Sequence, residues 1–312
     1  MSVYHLLRSI WPGKPKWFAD HLPDLSSKVI LVTGGNTGIG REIIKRLLMK
    51  NAKVYMAARS QQKAERAIQE LREETGKEAL FLHLDLGDLN SVKKAAEEFK
   101  QRESQLDVLY LCAGVMIPPR EQLTAQGYDA TFGTNVIGHY LLLRLLYPML
   151  SASGTPSDPS RLVWLGSVGH YGPRRLAYET YVDGPARKKI DLFDMYGQSK
   201  LANVMLSIYF ANKEAQEGKV ISIATDPGNI KSDIFRGDVP WYMRIWEALV
   251  LYPVEYGALT PLYAGGAPEA AAYNGKYMEP WARIGKPSPV ALNVQEQERL
   301  RDWLDEQVKT YL

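Results

Sequence analysis

Cysteine is nearly absent from this sequence, and several other features are missing altogether. Cys112 is the only cysteine, which excludes an internal disulfide and is typical of a reducing compartment. No apolar run reaches the ~18–20 residues that span a bilayer, because Arg144 interrupts residues 139–150, and Glu247 and Pro253 interrupt the next candidate. The N-terminus has no secretory apolar region or small-residue cleavage site. These absences predict a cytoplasmic protein without a membrane span.

Charge of one sign is also scarce. The 38 Lys and Arg residues nearly balance the 35 Asp and Glu residues, and the net charge of +3 is scattered without a basic block or stripe. We therefore expect no nucleic-acid partner. A content of 46% hydrophobic and 23% charged residues is typical of globular domains, and 312 residues suffice for one large α/β domain or two small ones.

The first 25 residues differ from the rest of the chain. Apolar residues at helical spacing lead into several aromatic residues: Val3, Leu6, Leu7, Ile10, Trp11, Trp17 and Phe18. One hypothesis is an amphipathic helix that lies on the surface of an intracellular membrane. The alternatives are an arm packed on its own domain and a contact in a homodimer. The small apolar area favours these alternatives.

A strand, a glycine-rich turn and a helix are predicted in direct succession from residue 28. Residues 28–33 form a short run suited to a strand buried on both faces, and residues 41–50 have helical periodicity. Between them lies Gly34-Gly35-Asn36-Thr37-Gly38-Ile39-Gly40. Glycines let the backbone approach a pyrophosphate, and a helix N-terminus offers free N–H groups. The spacing is G-x-x-x-G-x-G rather than G-x-G-x-x-G, yet its position predicts a dinucleotide site.

The choice between NAD and NADP depends on the end of the second apolar run, residues 52–58. An NAD site carries an acidic residue about 20 residues past the glycine turn, but Ala58 is uncharged and Arg59 follows it. A guanidinium suits a 2′-phosphate, so the sequence favours NADP(H) over NAD(H). The alternative is a solvated surface arginine.

Strand and helix alternate along the remaining chain. Helices are expected at 61–75, 89–101, 128–148 and 295–308, and strands at 79–84, 106–111, 161–165, 219–225 and 275–278. This alternation predicts an α/β fold, a Rossmann-type doubly wound parallel sheet with right-handed crossovers. Ligands of such sheets bind beyond the carboxyl ends of the strands. Five residues directly follow three of those ends: Asp85, Leu86, Ala113, Gly114 and Ser167.

Tyr196 and Lys200 are four positions apart in a segment with helical apolar periodicity, so their side chains would share one face of a helix. A phenol ordinarily titrates near pH ~10, and a neighbouring ammonium favours the phenolate. The pair could then exchange a proton with a substrate near neutral pH. Taken alone, it could equally be a half-exposed surface pair.

These positions, in their order and approximate spacing, resemble the short-chain dehydrogenase/reductase superfamily from about residue 26 to residue 311. The resemblance is carried by Thr33, Gly34, Gly38, Ile39, Gly40, Asp85, Ala113, Gly114, Asn135, Ser167, Tyr196, Lys200, Pro227, Gly228 and Ser232. Residues 127–139 and 196–203 are similar to the branch of retinol dehydrogenases and WW-domain oxidoreductases, which many fungal members share. The resemblance implies a single Rossmann domain over residues 26–312, with a variable substrate lid at about 229–257.

The resemblance also implies four catalytic roles. Tyr196 would be the acid or base, and Lys200 would lower the pKa of Tyr196 and bind the nicotinamide ribose. Ser167 would hold the substrate oxygen, and Asn135 would position a water that links Lys200 to solvent. This chemistry requires no metal. The implied cofactor-binding residues are Gly34, Asn36, Thr37, Gly38, Ile39, Gly40, Arg59, Asp85, Leu86, Ala113, Gly114, Tyr196, Lys200, Pro227, Gly228, Ile230 and Ser232.

The sequence departs from the family after the fourth strand. Leu111-Cys112-Ala113-Gly114 stands where the family usually has Asn-Asn-Ala-Gly, which calls the polar bracing of that turn into question. Cys112 is interpreted as a small core residue rather than a reactive thiol. His170 is interpreted as a satisfied or exposed histidine rather than a catalytic one.

Aromatic and aliphatic residues dominate the predicted lid. An apolar lid implies a lipophilic substrate, because binding gains come mainly from apolar area removed from water. The alternative is a core helix or an oligomer contact. The predicted substrate-binding residues are Met116, Ser167, Tyr196, Trp241, Tyr242 and Trp246.

The principal hypothesis is an NADP(H)-dependent oxidoreductase that interconverts a lipophilic alcohol with its ketone or aldehyde. A terpenoid or another secondary metabolite would be a suitable substrate, and a retinoid or fatty-aldehyde reductase is the related alternative. An alternative of another class is a nucleotide-binding regulatory protein without turnover. The intact set of Asn135, Ser167, Tyr196 and Lys200 argues against it.

Overall fold

One eight-stranded sheet runs through the computed structural model, which describes residues 8–215, 217–231 and 251–312. The strands are β1 Val29–Thr33, β2 Lys53–Ala58, β3 Leu80–His83, β4 Val108–Leu111, β5 Ser160–Leu165, β6 Val220–Thr225, β7 Tyr277–Glu279 and β8 Arg283–Gly285. Their order is β3-β2-β1-β4-β5-β6-β7-β8, and only β7 and β8 are antiparallel neighbours. The order reverses between β1 and β4, and ligands of open α/β sheets bind at such a reversal.

Helices cover both faces of the sheet. The longer ones within the described residues are α1 Gly38–Met49, α2 Gln61–Thr75, α3 Leu89–Arg102, α4 His139–Ser153, α5 Leu192–Tyr209, α6 Val254–Gly266 and α7 Val294–Val308. Helices α3, α4, α5 and α7 pack on one face, and α1, α2 and α6 pack on the other. Strands β1, β4, β5 and β6 are buried along their whole length because both faces are covered. The doubly wound α/β prediction is thereby confirmed.

Helix α7 forms a cover over α4 and α5. Leu300 and Leu304 of α7 are fully buried in the same cluster as the apolar face of α5. The Tyr140 hydroxyl of α4 donates to Asp305 Oδ1 at 2.6 Å. The Trp303 ring stands edge-on to Phe132, with 6.1 Å between centroids. The C-terminal segment is therefore part of the packing of the helices that flank the predicted active site.

Two predicted helices have different bounds in the structure. Helix α1 begins at Gly38, three residues before the predicted start, because its first turn includes the glycines of the preceding loop. The predicted helix at 128–148 is divided: a turn at Ala130–Phe132 leads into a π-helical segment at Gly133–Gly138, and α4 then runs past Pro148 to Ser153. Strand β8 was not predicted, because three residues at a sheet edge leave little periodic signal.

Residues 8–25 pack against the face that carries α1 and α6. Trp17 is buried and meets Tyr263 edge-on, with 5.3 Å between ring centroids, and Leu22 and Leu25 are buried beside it. Trp11 and Phe18 point outward and are 61% and 47% exposed. Among the described residues, none of the helices combines the length and apolar character needed to cross a membrane.

The predicted lid lies mostly outside the described residues. Trp241, Tyr242, Trp246 and the predicted cofactor residue Ser232 belong to that part of the chain. The two flanks of the segment are described, and they are joined. The Lys231 N–H donates to the Tyr252 carbonyl at 3.0 Å, and the Tyr252 N–H donates to the Asn229 carbonyl at 2.8 Å.

Candidate active site

The glycine turn after β1 and the turn after β4 touch at the reversal of strand order. Gly34 has φ of +70°, a conformation that glycine adopts without strain. A Cβ added there would lie 2.8 Å from Ala113 Cα. A Cβ at Gly40 would collide with the Gly34 carbonyl. Both positions therefore require glycine, and the backbone between them is left open to a ligand.

The N-terminus of α1 fits a dinucleotide pyrophosphate. Thr37 occupies the N-cap position, but its side chain makes no capping hydrogen bond, and the first turn of α1 carries no acidic residue. The first N–H groups of a helix lack partners within the helix. Such a terminus attracts an anion through those N–H groups and through the helix dipole.

Arg59 and Asp85 face each other at the ends of β2 and β3. Arg59 Nε lies 4.0 Å from Asp85 Oδ2, and the arginine side chain is 68% exposed. Asp85 Oδ1 accepts the Gly87 N–H at 2.9 Å, which fixes the carboxylate in its turn. An exposed guanidinium beside a fixed carboxylate suits recognition of the adenosine end of a dinucleotide.

The other predicted cofactor positions lie around the same edge of the sheet. Leu86 is buried, and its carbonyl sits where a Cβ at Gly138 would collide with it. A Cβ at Gly257 would lie 2.7 Å from Ile230 Cγ1 and 3.1 Å from Ile39 Cγ1, so these two isoleucines converge beside α6. The remaining positions belong to the turns after β1, β4 and β6: Asn36, Gly38, Ala113, Gly114, Pro227 and Gly228. Met116, predicted to contact substrate, follows β4 and is partly exposed.

Tyr196, Lys200 and Ser167 meet where α5 crosses the end of β5. Lys200 Nζ lies 5.5 Å from the centre of the Tyr196 ring and donates to the Leu165 carbonyl at 2.9 Å. The side chains of Tyr196 and Ser167 are hydrogen-bonded to each other. Lys200 is buried, whereas Tyr196 and Ser167 remain partly exposed. The arrangement places a fixed cation behind a phenol that a ligand can reach.

Burial dominates the protonation of this pair. It raises the pKa of Tyr196 to about 12, although the hydrogen bond from Ser167 lowers it and Asp226 raises it further. Burial also lowers the pKa of Lys200 to about 8, against the charge of Asp226. The protein alone therefore raises the pKa of the Tyr196 phenol, whereas a neighbouring lysine was expected to lower it. The reason is that desolvation of the phenolate is the largest contribution to the pKa of Tyr196.

Asn135 ties the turn after β4 to α5. Its Oδ1 accepts the Val115 N–H at 2.8 Å, and its Nδ2 donates to the Val115 carbonyl and to Ser199 Oγ, each at 3.1 Å. Ser199 Oγ in turn donates to the Tyr196 carbonyl at 2.7 Å. The side-chain amide is thus occupied within the protein, and the water contact of Asn135 stays a prediction.

A hydrogen-bond chain through Thr33 and His139 supports the same turn, and sequence reasoning missed it. His139 Nδ1 donates to the Asn135 carbonyl at 3.0 Å, so Nε2 accepts from Thr33 Oγ1 at 2.9 Å. Thr33 Oγ1 also accepts the N–H groups of Cys112 and Ala113 at 2.9 and 3.0 Å. Burial lowers the pKa of His139 to about 4, which keeps the ring neutral. The i, i+4 spacing of Asn135 and His139 was the available signal.

Cys112 and His170 occupy structural positions. Burial raises the pKa of the Cys112 thiol to about 12, which disfavours the reactive thiolate. His170 is buried, its Nδ1 donates to the Ser167 carbonyl at 2.7 Å, and its Nε2 accepts the Ser288 N–H at 3.1 Å. Across the described ranges, His, Cys, Asp and Glu side chains form no group of three or more that could hold a metal ion.

Comparison with known proteins places the chain among oxidoreductases. The family model described as short chain dehydrogenase matches residues 28–169. A short-chain dehydrogenase/reductase of Armillaria gallica is 45% identical over 310 residues, which cover 99% of each chain. A crystal structure of an uncharacterized protein from Mycobacterium paratuberculosis has a TM-score of 0.73 and 25% identity, covering 94% of this chain and 97% of that one. The Pseudomonas aeruginosa RhlG/NADP complex has a TM-score of 0.66 and 23% identity, covering 82% and 95%.

The relative from Armillaria gallica spans the whole chain, including the segment after residue 169 that contains Tyr196 and Lys200. The family binds a nicotinamide cofactor. The glycine turn, the uncapped α1 terminus and the Tyr196–Lys200 pair lie at the edge of the sheet where ligands of open α/β sheets bind. This chain is a member of the short-chain dehydrogenase/reductase family.

Proposed function

We propose that the protein is an NADP(H)-dependent oxidoreductase that interconverts a lipophilic alcohol with its ketone or aldehyde, with Tyr196 as general acid and base. The observation that carries the proposal is the contact of three groups at the carboxyl end of β5. Tyr196 is hydrogen-bonded to Ser167, and the Lys200 ammonium is held 5.5 Å from the Tyr196 ring.

When bound, the nicotinamide ring donates a hydride to the substrate carbon or accepts one from it. The substrate oxygen must gain or lose a proton as that happens, and the Tyr196 hydroxyl is the proton donor within reach. Ser167 Oγ holds the same oxygen beside Tyr196 and accepts the Gly169 N–H at 3.1 Å, which fixes its orientation. Lys200, with a pKa of about 8, is mainly cationic at neutral pH and stabilises the phenolate that remains.

The turns at the strand ends would hold the cofactor. Backbone N–H groups from Thr37 to Gly40 would bind the pyrophosphate, because no side chain caps them. Arg59 would bind the 2′-phosphate of NADP(H), which is the reason for preferring it to NAD(H). Asp85 would then contact the adenosine from the other side of the guanidinium.

The lipophilic substrate is inferred from the residues that would cover it. Met116 follows β4 and is partly exposed, and the sequence of residues 239–256 is rich in Trp, Tyr and Leu. A terpenoid or another secondary metabolite suits such a wall, and so does a retinoid or a fatty aldehyde. The resemblance of residues 127–139 and 196–203 to the retinol dehydrogenase branch favours the second pair of substrates.

The test is turnover by Tyr196→Phe on a panel of such alcohols and carbonyl compounds with NADP⁺ or NADPH. Loss of the proton donor should lower kcat by about 10²–10⁴-fold, while NADPH binding, followed by fluorescence, persists. Tyr147→Phe is the matched control, because Tyr147 lies on α4 and its hydroxyl donates to the Glu214 carbonyl, just after α5, at 2.9 Å. Unchanged turnover by Tyr196→Phe would overturn the mechanism. Cofactor binding without turnover on any compound would favour the regulatory alternative.

A further inference from the structure

A buried carboxylate stands at the end of β6, beside the proposed active site. Asp226 is the first residue after the strand, and only 3% of it is exposed. Its Oδ1 accepts the Gly228 N–H at 2.9 Å, and its Oδ2 accepts the Tyr277 hydroxyl at 3.2 Å. Its own N–H donates to the Met278 carbonyl at 2.8 Å. The carboxylate is therefore fixed from both neighbouring segments.

The strand register places this carboxylate beside the end of β5, where Lys200 is held. Thr225 pairs with Leu165, and the Leu165 carbonyl is the acceptor of the Lys200 ammonium. The Gly166 N–H donates to the Thr225 carbonyl at 2.8 Å, so Ser167 and Asp226 leave adjacent strands side by side. Tyr277, which binds Asp226, lies against His170 with 4.6 Å between ring centroids. His170 in turn holds the Ser167 carbonyl.

Charged and titratable groups approach Asp226 from each element packed on it. Helix α5 contributes Lys200 and Tyr196, β7 contributes Tyr277 and Glu279, and the turn after β5 contributes Tyr171. Lys200 is the cation among these five groups, and Glu279 is paired with Arg8 at 2.9 Å. Burial raises the pKa of Asp226 to about 6, while the Gly228 and Tyr277 hydrogen bonds lower it. The carboxyl is thus mainly ionised at neutral pH.

We propose that Asp226 is a positioning residue whose negative charge keeps Tyr196 protonated and Lys200 charged across the neutral range, and so sets the pH range of the reaction. The proposal rests on the proposed function of that pair. Tyr277 assists by holding the carboxylate in its ionised form. Tyr196 and Lys200 titrate as a coupled pair. Removing a nearby anion disfavours the protonated form of either group, so the pair loses its first proton at lower pH.

The test uses Asp226→Asn, which keeps the shape and an acceptor for the Gly228 N–H but carries no charge. In the pH profile of kcat, the midpoint of the limb that reports the Tyr196–Lys200 pair should move to lower pH by at least about half a pH unit. In protein labelled with ¹³C at tyrosine Cζ, the Tyr196 signal, assigned with Tyr196→Phe, should titrate at lower pH in Asp226→Asn. This second readout needs no substrate, so its outcome is separate from the outcome for the proposed function.

A second variant, Tyr277→Phe, covers the case in which Asp226→Asn does not fold. It retains the carboxylate and removes a hydrogen bond that favours its ionised form. The ¹³C signal of the Asp226 carboxyl should titrate near pH 6 in the wild type and at higher pH in Tyr277→Phe. Either of two results would overturn the proposal. In the first, Asp226→Asn lowers kcat but leaves the pH midpoints of the kcat limb and of the Tyr196 titration unchanged. In the second, Tyr277→Phe leaves the pH midpoint of the Asp226 titration unchanged.

Discussion

Thr33 explains, at the scale of a single residue, how the turn after β4 is braced without the usual asparagines. Its hydroxyl accepts two backbone N–H groups, from Cys112 and Ala113, and donates to His139. A threonine at the end of a buried strand is an ordinary sequence feature. Its partners come from the turn after β4 and from α4, up to 106 positions away, so the sequence alone did not reveal the bracing.

Replacing Thr33 with valine should test this bracing, because valine has the same shape without the hydroxyl. Two buried N–H groups and one histidine nitrogen would lose their partner. We expect the free energy of unfolding to fall by roughly 1–3 kcal/mol and KM for NADPH to rise, as measured by urea denaturation and initial rates. Thr33→Ser keeps the hydroxyl and should remain close to the wild type. Equal stability of the valine and serine variants would contradict the role.

In the proposed function Arg59 binds the 2′-phosphate of NADP(H), so Arg59→Ala should raise KM for NADPH by at least about tenfold, equivalent to ~1.4 kcal/mol of binding free energy. KM for NADH should stay unchanged, because NADH has no 2′-phosphate. Initial rates with each cofactor measure both values. Arg72→Ala, at another exposed arginine on α2, is the control. A parallel change with both cofactors would show that Arg59 does not recognise the phosphate.

At the scale of elements, the bounds that local chemistry determines were predictable. Helix α2 spans Gln61–Thr75, as predicted, because Ser60 caps its start and Gly76 ends it in the left-handed conformation. The π-helical segment Gly133–Gly138 was not predicted. Asn135 lies within it and bonds to Val115, and Gly138 lies against the Leu86 carbonyl. These contacts come from distant parts of the chain, so local periodicity does not predict them.

The N-terminal arm presents two different surfaces, and membrane contact remains a prediction for the outer one. Trp17 and Leu22 pack inward, whereas Trp11 and Phe18 are exposed. Aromatic rings at a surface favour a lipid interface. We expect Trp11→Ala/Phe18→Ala to reduce co-sedimentation with anionic liposomes while thermal stability is retained.

The control for this experiment is Leu292→Ala/Val294→Ala, which removes exposed apolar side chains near the start of α7. It should leave liposome binding at the wild-type level. Unchanged partitioning of the arm variant would remove the membrane role and leave packing, or the predicted homodimer contact, as the function of the arm.

At the scale of the whole molecule, two buried groups make opposite contributions to the dependence of stability on pH. The Asp226 pKa is raised from 3.8 to about 6, so the folded state binds the extra proton between these values and stability falls as pH rises through them. The His139 pKa is lowered from 6.5 to about 4, so the unfolded state binds the extra proton and stability rises over nearly the same window. The two slopes largely cancel in the wild type.

Asp226→Asn removes one of these slopes and should expose the other. As pH rises from 4.5 to 6, the free energy of unfolding of Asp226→Asn should increase relative to that of the wild type by up to about 1.4 kcal/mol per pH unit. Urea denaturation at several pH values measures the difference. Asp20→Asn, at a carboxylate that is 86% exposed, should leave the wild-type profile unchanged. A constant offset between Asp226→Asn and the wild type would show that Asp226 does not titrate in this range.

The architecture of the molecule was more predictable than its site electrostatics. Alternation of strands and helices was sufficient for the parallel sheet, and the order of Gly34, Ser167, Tyr196 and Lys200 was sufficient for the family. The raised pKa of Tyr196 depends on how much water the fold removes from the phenol, and that quantity has no counterpart in residue spacing. The role proposed for Asp226 could not be predicted for the same reason, because the effect of a carboxylate after a strand depends on the groups that pack around it.

Helix α7, which covers α4 and α5, follows both of them in the chain and is synthesised after them. The ribosome delivers the N-terminal parts of a chain first, so the helix bearing Tyr196 and Lys200 emerges before its cover exists. Leu300 and Leu304 reach α5 only after residues 294–308 have left the ribosome. Nascent chains of this protein therefore carry an uncovered apolar helix surface until α7 has been made, and this is the stage at which chaperone binding or premature termination would affect the enzyme most.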